Sequence, residues 1–208
     1  MSRFSEYIGS QFGNPRGIIG KICCIGMNII NQPMYRNTVA VMNPDNEDKI
    51  LDIGYGNGFL LREIYKKKHV YMYGIDISED MKKVASKRNR KALENNRLFL
   101  ETGDCCNLPY EDNMFSGVSS INTIYFWNDA VKGLSEIRRV LKPGKSFYNV
   151  VYTKEWFGNS SFTEKGFNKY GPDELTDFGK KAGFEKMEVR DIVKGKSLMV
   201  IYTKQDES

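Results

Sequence analysis

The sequence predicts a single α/β domain, residues 1–208, with a mostly parallel β-sheet covered by helices on both faces. Apolar extended runs alternate with amphipathic stretches near residues 58–67, 79–94 and 129–141. The last two runs flank a short Lys-Gly-Lys turn, which predicts an antiparallel hairpin at the C-terminal edge of a seven-stranded sheet. The extended runs are residues 49–53, 70–75, 97–101, 115–121, 146–152, 184–193 and 197–203.

Residues 1–43 precede the first strand and predict an N-terminal helical cap. Isoleucines recur at helical spacing from Gly17 to Ile30, which predicts an amphipathic helix. Asn31 is expected to cap a second helix, which Pro33 opens and which ends near Met42. We interpret the first helix as a lid over a ligand pocket. A structural cap and peripheral contact with a membrane surface stay open as alternatives.

Composition favours a cytoplasmic protein without a metal. The four cysteines form two adjacent pairs, Cys23-Cys24 and Cys105-Cys106, which do not match the spacing of zinc or redox motifs. We therefore expect free thiols in a reducing compartment. Neither a cleavable signal nor an apolar run long enough to span a membrane is evident. The net charge of +5 comes from clusters at predicted helix ends, where cations are favoured and solvated.

The segment from Ile50 to Gly58 organises the chain, because an apolar strand ends there in an acid and three glycines at alternate positions. Glycines let a ligand lie against bare peptide, and the following helix start offers unpaired N–H groups. The third position of a dinucleotide fingerprint is filled by Phe59, and the Lys-Ser/Thr of a phosphate-binding loop is missing. The pattern Asp52-x-Gly54-x-Gly56-x-Gly58 instead resembles the first motif of the class I S-adenosylmethionine-dependent methyltransferases.

This resemblance implies a Rossmann-like methyltransferase fold with S-adenosylmethionine as cofactor. The glycine turn, Gly54, Tyr55, Gly56 and Gly58, would face the methionine portion, and Asp52 would lie near its ammonium group. Asp76 follows the second strand at the sheet edge where ligands bind, and its carboxylate would accept both ribose hydroxyls. A helix cap at Ser78 is the alternative role for Asp76. The predicted cofactor site also includes Ile77 and Met81.

Three later segments carry the same resemblance. Gly103 to Tyr110 matches the family pattern G-D-x-x-x-L-P-[FY], which implies that Asp104 and the Cys105 N–H bind adenine. Glu111 to Ser116 matches D-x-x-F-D except that Ser116 replaces the second acid, and Glu136 to Lys145 is close to E-x-x-R-V-L-K-P-G-G. The matches cover roughly residues 50–150. They are similar to the small-molecule branch that includes ubiquinone and menaquinone biosynthesis methyltransferases.

The segment after the fourth strand is expected to hold the methyl acceptor. Asn122 would face the methionine end of the cofactor, Tyr35 would reach the cofactor, and Tyr125 and Trp127 would line the acceptor pocket unless they are ordinary core aromatics. The Asn-Pro-Pro-Tyr type of motif found in enzymes that methylate nucleic-acid amines is missing, so a nucleic-acid partner is not expected.

The predicted activity is methyl transfer by direct displacement to a small, largely apolar acceptor, and no catalytic base is evident. The only histidine, His69, starts the second strand and is expected at the surface. An RNA methyltransferase and a non-catalytic S-adenosylmethionine-binding protein are the alternatives. The oligomeric state is not predicted.

Overall fold

A computed structural model describes residues 28–158 and 168–206. The strands in these residues are β1 (Lys49–Ile53), β2 (Tyr71–Asp76), β3 (Leu98–Thr102), β4 (Gly117–Ile121), β5 (Ser146–Tyr152), β6 (Lys186–Val193) and β7 (Ser197–Thr203). They form one sheet in the order β3-β2-β1-β4-β5-β7-β6. The first five strands pair in parallel, while β7 runs antiparallel to both β5 and β6. The predicted fold class is therefore confirmed.

Helices cover both faces of the sheet, and this explains the nearly continuous apolar composition of β1. Neighbouring side chains of β1 point to opposite faces, so Ile50 packs in one buried cluster and Leu51 in another. In the described part of the chain the helices are α1 (Gln32–Met42), α2 (Phe59–Tyr65), α3 (Glu79–Arg88), α4 (Arg90–Glu94), α5 (Ala130–Val140), α6 (Lys154–Gly158) and α7 (Pro172–Lys181).

The predicted strand bounds hold within one residue except in β4 and at the start of β6. β4 begins at Gly117, two residues later than predicted, because Phe115 instead forms an isolated bridge with Leu141 beyond α5. β6 begins at Lys186 instead of residue 184, since Phe184 is buried in the core after α7. These apolar residues extend the strand pattern in the sequence but serve as packing anchors beside the strands.

The predicted helix 79–94 is two helices, because the chain breaks at Asn89. The Asn89 side-chain amide donates to the backbone oxygens of Ala85 and Gly58, each at 3.0 Å. The second bond ties the end of α3 to the glycine turn after β1. The break therefore fixes a contact between two segments that border the carboxyl edge of the sheet.

The predicted amphipathic helix 17–30 falls outside the described residues up to position 27, and residues 28–30 are helical. The second helix is confirmed as α1, which packs on β5 and β7 through Met34. Asn31 occupies the N-cap position, as predicted, but its side chain makes no capping hydrogen bond. Its Oδ1 instead accepts a hydrogen bond from the Tyr152 hydroxyl on β5.

None of the helices in the described ranges combines the length and the apolar character needed to cross a membrane. Of the four cysteines, Cys105 and Cys106 are buried free thiols, as predicted. Cys23 and Cys24 lie outside the described residues.

Candidate cofactor and acceptor site

A cleft opens at the carboxyl ends of the four parallel strands β1 to β4, below the N-terminal end of α1. This is where ligands of open α/β sheets bind, because the strand order reverses next to β1. Most of its lining belongs to the loops after these strands. The lining residues are Asn28, Asn31, Tyr35, Asp52, Ile53, Gly54, Tyr55, Gly56, Asn57, Phe59, Leu60, Ile75, Asp76, Ile77, Met81, Gly103, Asp104, Cys105, Ile121, Asn122, Thr123, Phe126, Trp127 and Asn128.

The structure thus brings together all the predicted cofactor residues except Gly58. Of the two predicted acceptor residues, Trp127 lines the cleft and Tyr125 does not. Sequence reasoning missed Asn28, Asn31, Asn57 and Phe126. The first two had a visible signal, because two amides one helical turn apart interrupt the isoleucine stripe before α1.

Gly56 presents bare backbone to the cleft. Its φ is +50°, in the left-handed region, and a Cβ built on it would meet nothing within 4 Å. Its N–H donates to the Asp76 carboxylate at 2.8 Å. The turn is therefore held by a hydrogen bond that its own N–H donates to Asp76 at the end of β2, and there is space for a ligand where a side chain is missing.

Gly58 serves packing and does not face the cleft. Its φ is +71°, and a Cβ there would lie 2.5 Å from Asn89 Nδ2 and 2.9 Å from Ala85 Cβ. The residue forms the N-cap of α2, where α3 passes close to the turn. Gly56 and Gly58 therefore have different roles, which the equal spacing of the motif glycines does not reveal.

Asp76 accepts hydrogen bonds from two backbone donors, while Ser78, and not Asp76, is the N-cap of α3. Asp76 Oδ2 accepts from the Gly56 N–H at 2.8 Å and its Oδ1 from the Ser78 N–H at 2.9 Å. Burial raises the pKa of the Asp76 carboxyl, while these two backbone donors oppose that rise. Each carboxylate oxygen has a second acceptor position, so Asp76 can brace the turn and still accept from a ligand hydroxyl.

Asp52 is an acid that is 3% exposed at the end of β1. Burial raises the pKa of its carboxyl to about 7, and the nearby Asp76 charge adds to the rise. The Ser119 hydroxyl on β4 donates to Asp52 Oδ1 at 2.8 Å and partly offsets the effect of burial. A cation bound in the cleft would favour the ionised form of Asp52.

Asp104 begins the loop after β3 and accepts a hydrogen bond from the Cys106 N–H at 2.9 Å, which lowers the pKa of its carboxyl. Burial raises the pKa of the Cys105 and Cys106 thiols. The possible ligand atoms of these three residues lie within 4.8 Å of one another. Both thiols are therefore protonated at neutral pH in the metal-free protein.

The other end of the cleft is lined by amide side chains that we call the amide recess: Asn28, Asn31 and Asn122. Asn122 follows β4 with φ +58°, an uncommon conformation for a residue other than glycine. Its Nδ2 donates to Asn31 Oδ1 at 3.4 Å, and its Oδ1 accepts from the Tyr125 hydroxyl at 3.2 Å. Asn28 Oδ1 accepts from Asn57 Nδ2 at 3.2 Å. The recess thus connects α1 to the glycine turn and to β4.

Tyr125 lies in the core next to this recess and holds Asn122 through its hydroxyl group. Only 2% exposed, it receives a hydrogen bond from the Tyr152 N–H at 2.6 Å, and burial keeps its pKa well above the ordinary value. Trp127 reaches the cleft, and its Nε1 donates to Thr123 Oγ1 at 3.2 Å. The core-aromatic alternative therefore holds for Tyr125, which positions Asn122 instead of lining the cleft.

Comparison with known proteins decides the family. Residues 51–149 match the family model described as "Methyltransferase domain". An uncharacterized methyltransferase of Bacillus subtilis, YdaC, is 30% identical over 161 residues, which cover 77% of this chain and 84% of that protein. The chain belongs to the S-adenosylmethionine-dependent methyltransferases. Its cofactor is S-adenosylmethionine.

This methyltransferase is also similar to the demethylmenaquinone methyltransferase of Bacteroides fragilis, with 29% identity over 116 residues, 55% of this chain and 47% of that protein. The match thus spans about half the length of that relative. A structure of Haemonchus contortus phosphoethanolamine N-methyltransferase 2 in complex with S-adenosyl-L-methionine superimposes with a TM-score of 0.71. It covers 98% of this chain and 56% of the other, with 20% identity, so it supports the fold alone.

Proposed function

We propose that this methyltransferase binds its cofactor along the glycine turn, Asp76 and Asp104 and methylates a small-molecule acceptor held beside Asn122. The continuity of the cleft supports this arrangement, since both groups of residues line the same opening. The bare backbone of Gly56 and the unused acceptor positions of Asp76 fit a nucleoside with a flexible tail. The proposed cofactor contacts are Asp52, Gly54, Tyr55, Gly56, Asp76, Ile77, Met81, Asp104, Cys105, Asn122 and Tyr35.

The chain's own residues act mainly by alignment. When bound, S-adenosylmethionine would supply a methyl group on a sulfonium; a bond from the acceptor's nucleophile to the methyl carbon would form as the carbon–sulfur bond breaks, and the sulfur would leave as the neutral thioether of S-adenosylhomocysteine. Holding reactants in line contributes as much as ~7–11 kcal/mol, so no nucleophilic residue is required. Asn122 is suited to orient the acceptor, because its amide is fixed by Tyr125 and Asn31. Tyr125 itself stays protonated, since burial raises its pKa.

The proposed acceptor has a largely apolar body and a polar group at its reacting end. Tyr35, Ile121, Phe126 and Trp127 give the cleft apolar walls, whereas the amide recess offers donors and acceptors beside them. An aromatic or aliphatic body would pack on the walls while a polar group bonds to the amides. The names of relatives such as demethylmenaquinone methyltransferase agree with an acceptor of this kind.

We further propose that residues 1–43 form a cap within the same single domain, and that its described residues Asn28, Asn31 and Tyr35 border the acceptor end of the cleft. Support comes from Asn28, which lines the cleft and bonds to Asn57. A variant lacking residues 1–27 should bind S-adenosylhomocysteine, because the glycine turn and Asp76 are retained, but should lose methyl transfer. Full methyl transfer by the truncated protein would contradict the lid role.

Calorimetry with S-adenosylhomocysteine and NAD tests the cofactor site. The protein should bind S-adenosylhomocysteine, and NAD should give no measurable heat. Asp76→Ala removes two hydrogen bonds to a charged acceptor, each worth roughly 1.5–3 kcal/mol, and should weaken binding strongly. Asp191→Ala on the exposed face of β6 is the control that loses the same charge. Tighter binding of NAD, or equal S-adenosylhomocysteine affinity in the two variants, would refute this assignment.

A further inference from the structure

A second groove lies next to the cleft, between α1 and α2. We call it the basic groove. Tyr35 and Phe59 line both openings, and their rings lie 4.9 Å apart, so this aromatic pair forms a shared wall. The residues of the basic groove are Gln32, Tyr35, Arg36, Val39, Phe59, Arg62, Glu63, Lys66 and Lys67.

The basic groove concentrates positive charge. Four cations face one carboxylate, Glu63, and that carboxylate is already paired with Lys66 at 2.7 Å. Within the described residues, Arg36, Arg62 and Lys67 make no ion pair. Placing like charges on facing helices is unfavourable unless an anion or solvent separates them. The groove therefore has the electrostatics of an anion site.

Helix dipoles explain only part of this arrangement. Arg62 lies in the last turn of α2 and Lys66 and Lys67 follow it, where cations are stabilised by the C-terminal partial charge. Arg36 lies in the middle of α1, where the dipole gives no such benefit. Its presence in the same groove indicates a role for the four cations together.

We propose that the basic groove binds a phosphate group carried by the methyl acceptor. The proposal rests on the acceptor position given above, because Tyr35 is both a wall of that position and one of the two residues shared with the basic groove. Arg36 is the neighbour of Tyr35, and Arg62 is three residues from Phe59, or about 4.5 Å along the helix axis. Two guanidinium groups offer the paired donors that match phosphate oxygens. A small molecule can thus place its phosphate in the groove and its reacting end in the cleft.

Inorganic phosphate is the probe, and its binding is followed by amide chemical shifts of the full-length protein. Saturable shifts should cluster in residues 32–39 and 59–67. The double variant Arg36→Gln/Arg62→Gln should bind phosphate roughly tenfold more weakly or worse, since two charged donors are lost. The matched control is Lys145→Gln/Lys180→Gln, which removes the same charge from exposed positions away from the groove and should bind as the wild type.

Two further arms separate the alternatives. The affinity for S-adenosylhomocysteine, measured on the same proteins, should be the same in the wild type and in both double variants. If the wild type does not bind S-adenosylhomocysteine, the proposed cofactor site is refuted, but the phosphate result still stands. Equal phosphate binding by the two double variants would overturn the basic-groove proposal. Cosedimentation with vesicles of phosphatidylcholine and phosphatidylglycerol tests the other source of phosphate. If the protein binds vesicles through Arg36 and Arg62 but does not bind inorganic phosphate, the groove binds a lipid surface. This result would overturn the proposal that the methyl acceptor carries the phosphate.

Discussion

The two ends of the cleft are built in different ways. The proposed cofactor end uses backbone groups and carboxylates that follow directly after β1, β2 and β3, as in the bond from the Gly56 N–H to Asp76. The acceptor end depends on side chains far apart in sequence, such as Asn31 and Tyr152, which are 121 positions apart. Local turn geometry thus determines one end and tertiary packing the other. Substitutions at the first end should change ligand binding, and those at the second should change the support of the amide recess.

The largest expected effect is at Gly56. Gly56→Val should abolish binding of S-adenosylhomocysteine, because the new side chain occupies open space in the cleft and a branched residue is strained at φ +50°. Gly195→Val is a close control, since Gly195 has φ +70° in the β6–β7 turn and its Cβ would also meet nothing. Each variant is compared with the wild type by urea unfolding and calorimetry.

Backbone strain alone would destabilise both variants by about 1–2 kcal/mol. Only Gly56→Val should lose the ligand. Unchanged affinity in a folded Gly56→Val protein would show that the turn does not contact the cofactor, and equal losses in both variants would point to general destabilisation.

A substitution of Gly58 should have a smaller effect than one of Gly56. It should lower the stability of the fold and leave ligand binding unchanged. The added methyl group of Gly58→Ala would lie 2.9 Å from Ala85 Cβ and crowd the buried Asn89 amide. Overpacking together with positive-φ strain should lower the free energy of unfolding by about 2–3 kcal/mol, measured in urea. Affinity for S-adenosylhomocysteine should change little in the folded fraction. A large loss of affinity at unchanged stability would mean that Gly58 contacts the ligand after all.

Gly56 and Gly58 show which features of the site can be predicted from the sequence. The strand–turn–helix signal located the turn and the carboxylates at strand ends, because each depends on short spacing. It could not distinguish Gly56 from Gly58, since the difference depends on where α3 passes. Asn89, which breaks the predicted helix, makes that contact through its side-chain amide.

The acceptor end of the cleft was less predictable from the sequence, because it also depends on how elements that are distant in sequence pack together. Asn122 and Trp127 were expected there because they follow a strand end that borders the cleft. Asn28 and Asn31 were not, since their role depends on how α1 packs across β5. Tyr125 is three residues from Asn122 and looks like a pocket residue in the sequence, yet the 3₁₀ turn Ile124–Phe126 directs it into the core.

Asp52 allows a test in which stability and binding change in opposite directions with pH. Its folded pKa of about 7 lies above the ordinary 3.8, so the fold favours the protonated acid. This contribution to stability is complete below about pH 4 and is lost as pH rises to 7, by no more than ~1.4 kcal/mol per pH unit. If the ligand ammonium lies beside Asp52, affinity should instead rise with pH up to about 7.

Calorimetry between pH 5.5 and 7.5 should therefore show tighter binding of S-adenosylhomocysteine at higher pH, by at most about tenfold per unit from this group. Asp52→Asn keeps an acceptor for the Ser119 hydroxyl and removes the titration. It should bind more weakly with a flatter profile. A wild-type slope that persists in Asp52→Asn would assign the proton to another group, of which the partly buried Asp76 is the first candidate.

The smallest effect is expected at Tyr152, where the acceptor end can be altered without touching the cofactor end. Tyr152→Phe removes the hydroxyl that donates to Asn31 Oδ1, an atom of a buried amide that then keeps the 3.4 Å contact with Asn122. Loss of one such bond should lower the free energy of unfolding by about 1 kcal/mol. Tyr65→Phe is the control, because its hydroxyl accepts an exposed bond from Asn95, and water can replace that bond. Affinity for S-adenosylhomocysteine should be unchanged in both variants. A marked loss of that affinity in Tyr152→Phe alone would show that the amide recess helps to hold the cofactor, and the two ends of the cleft would then have to be treated as one site.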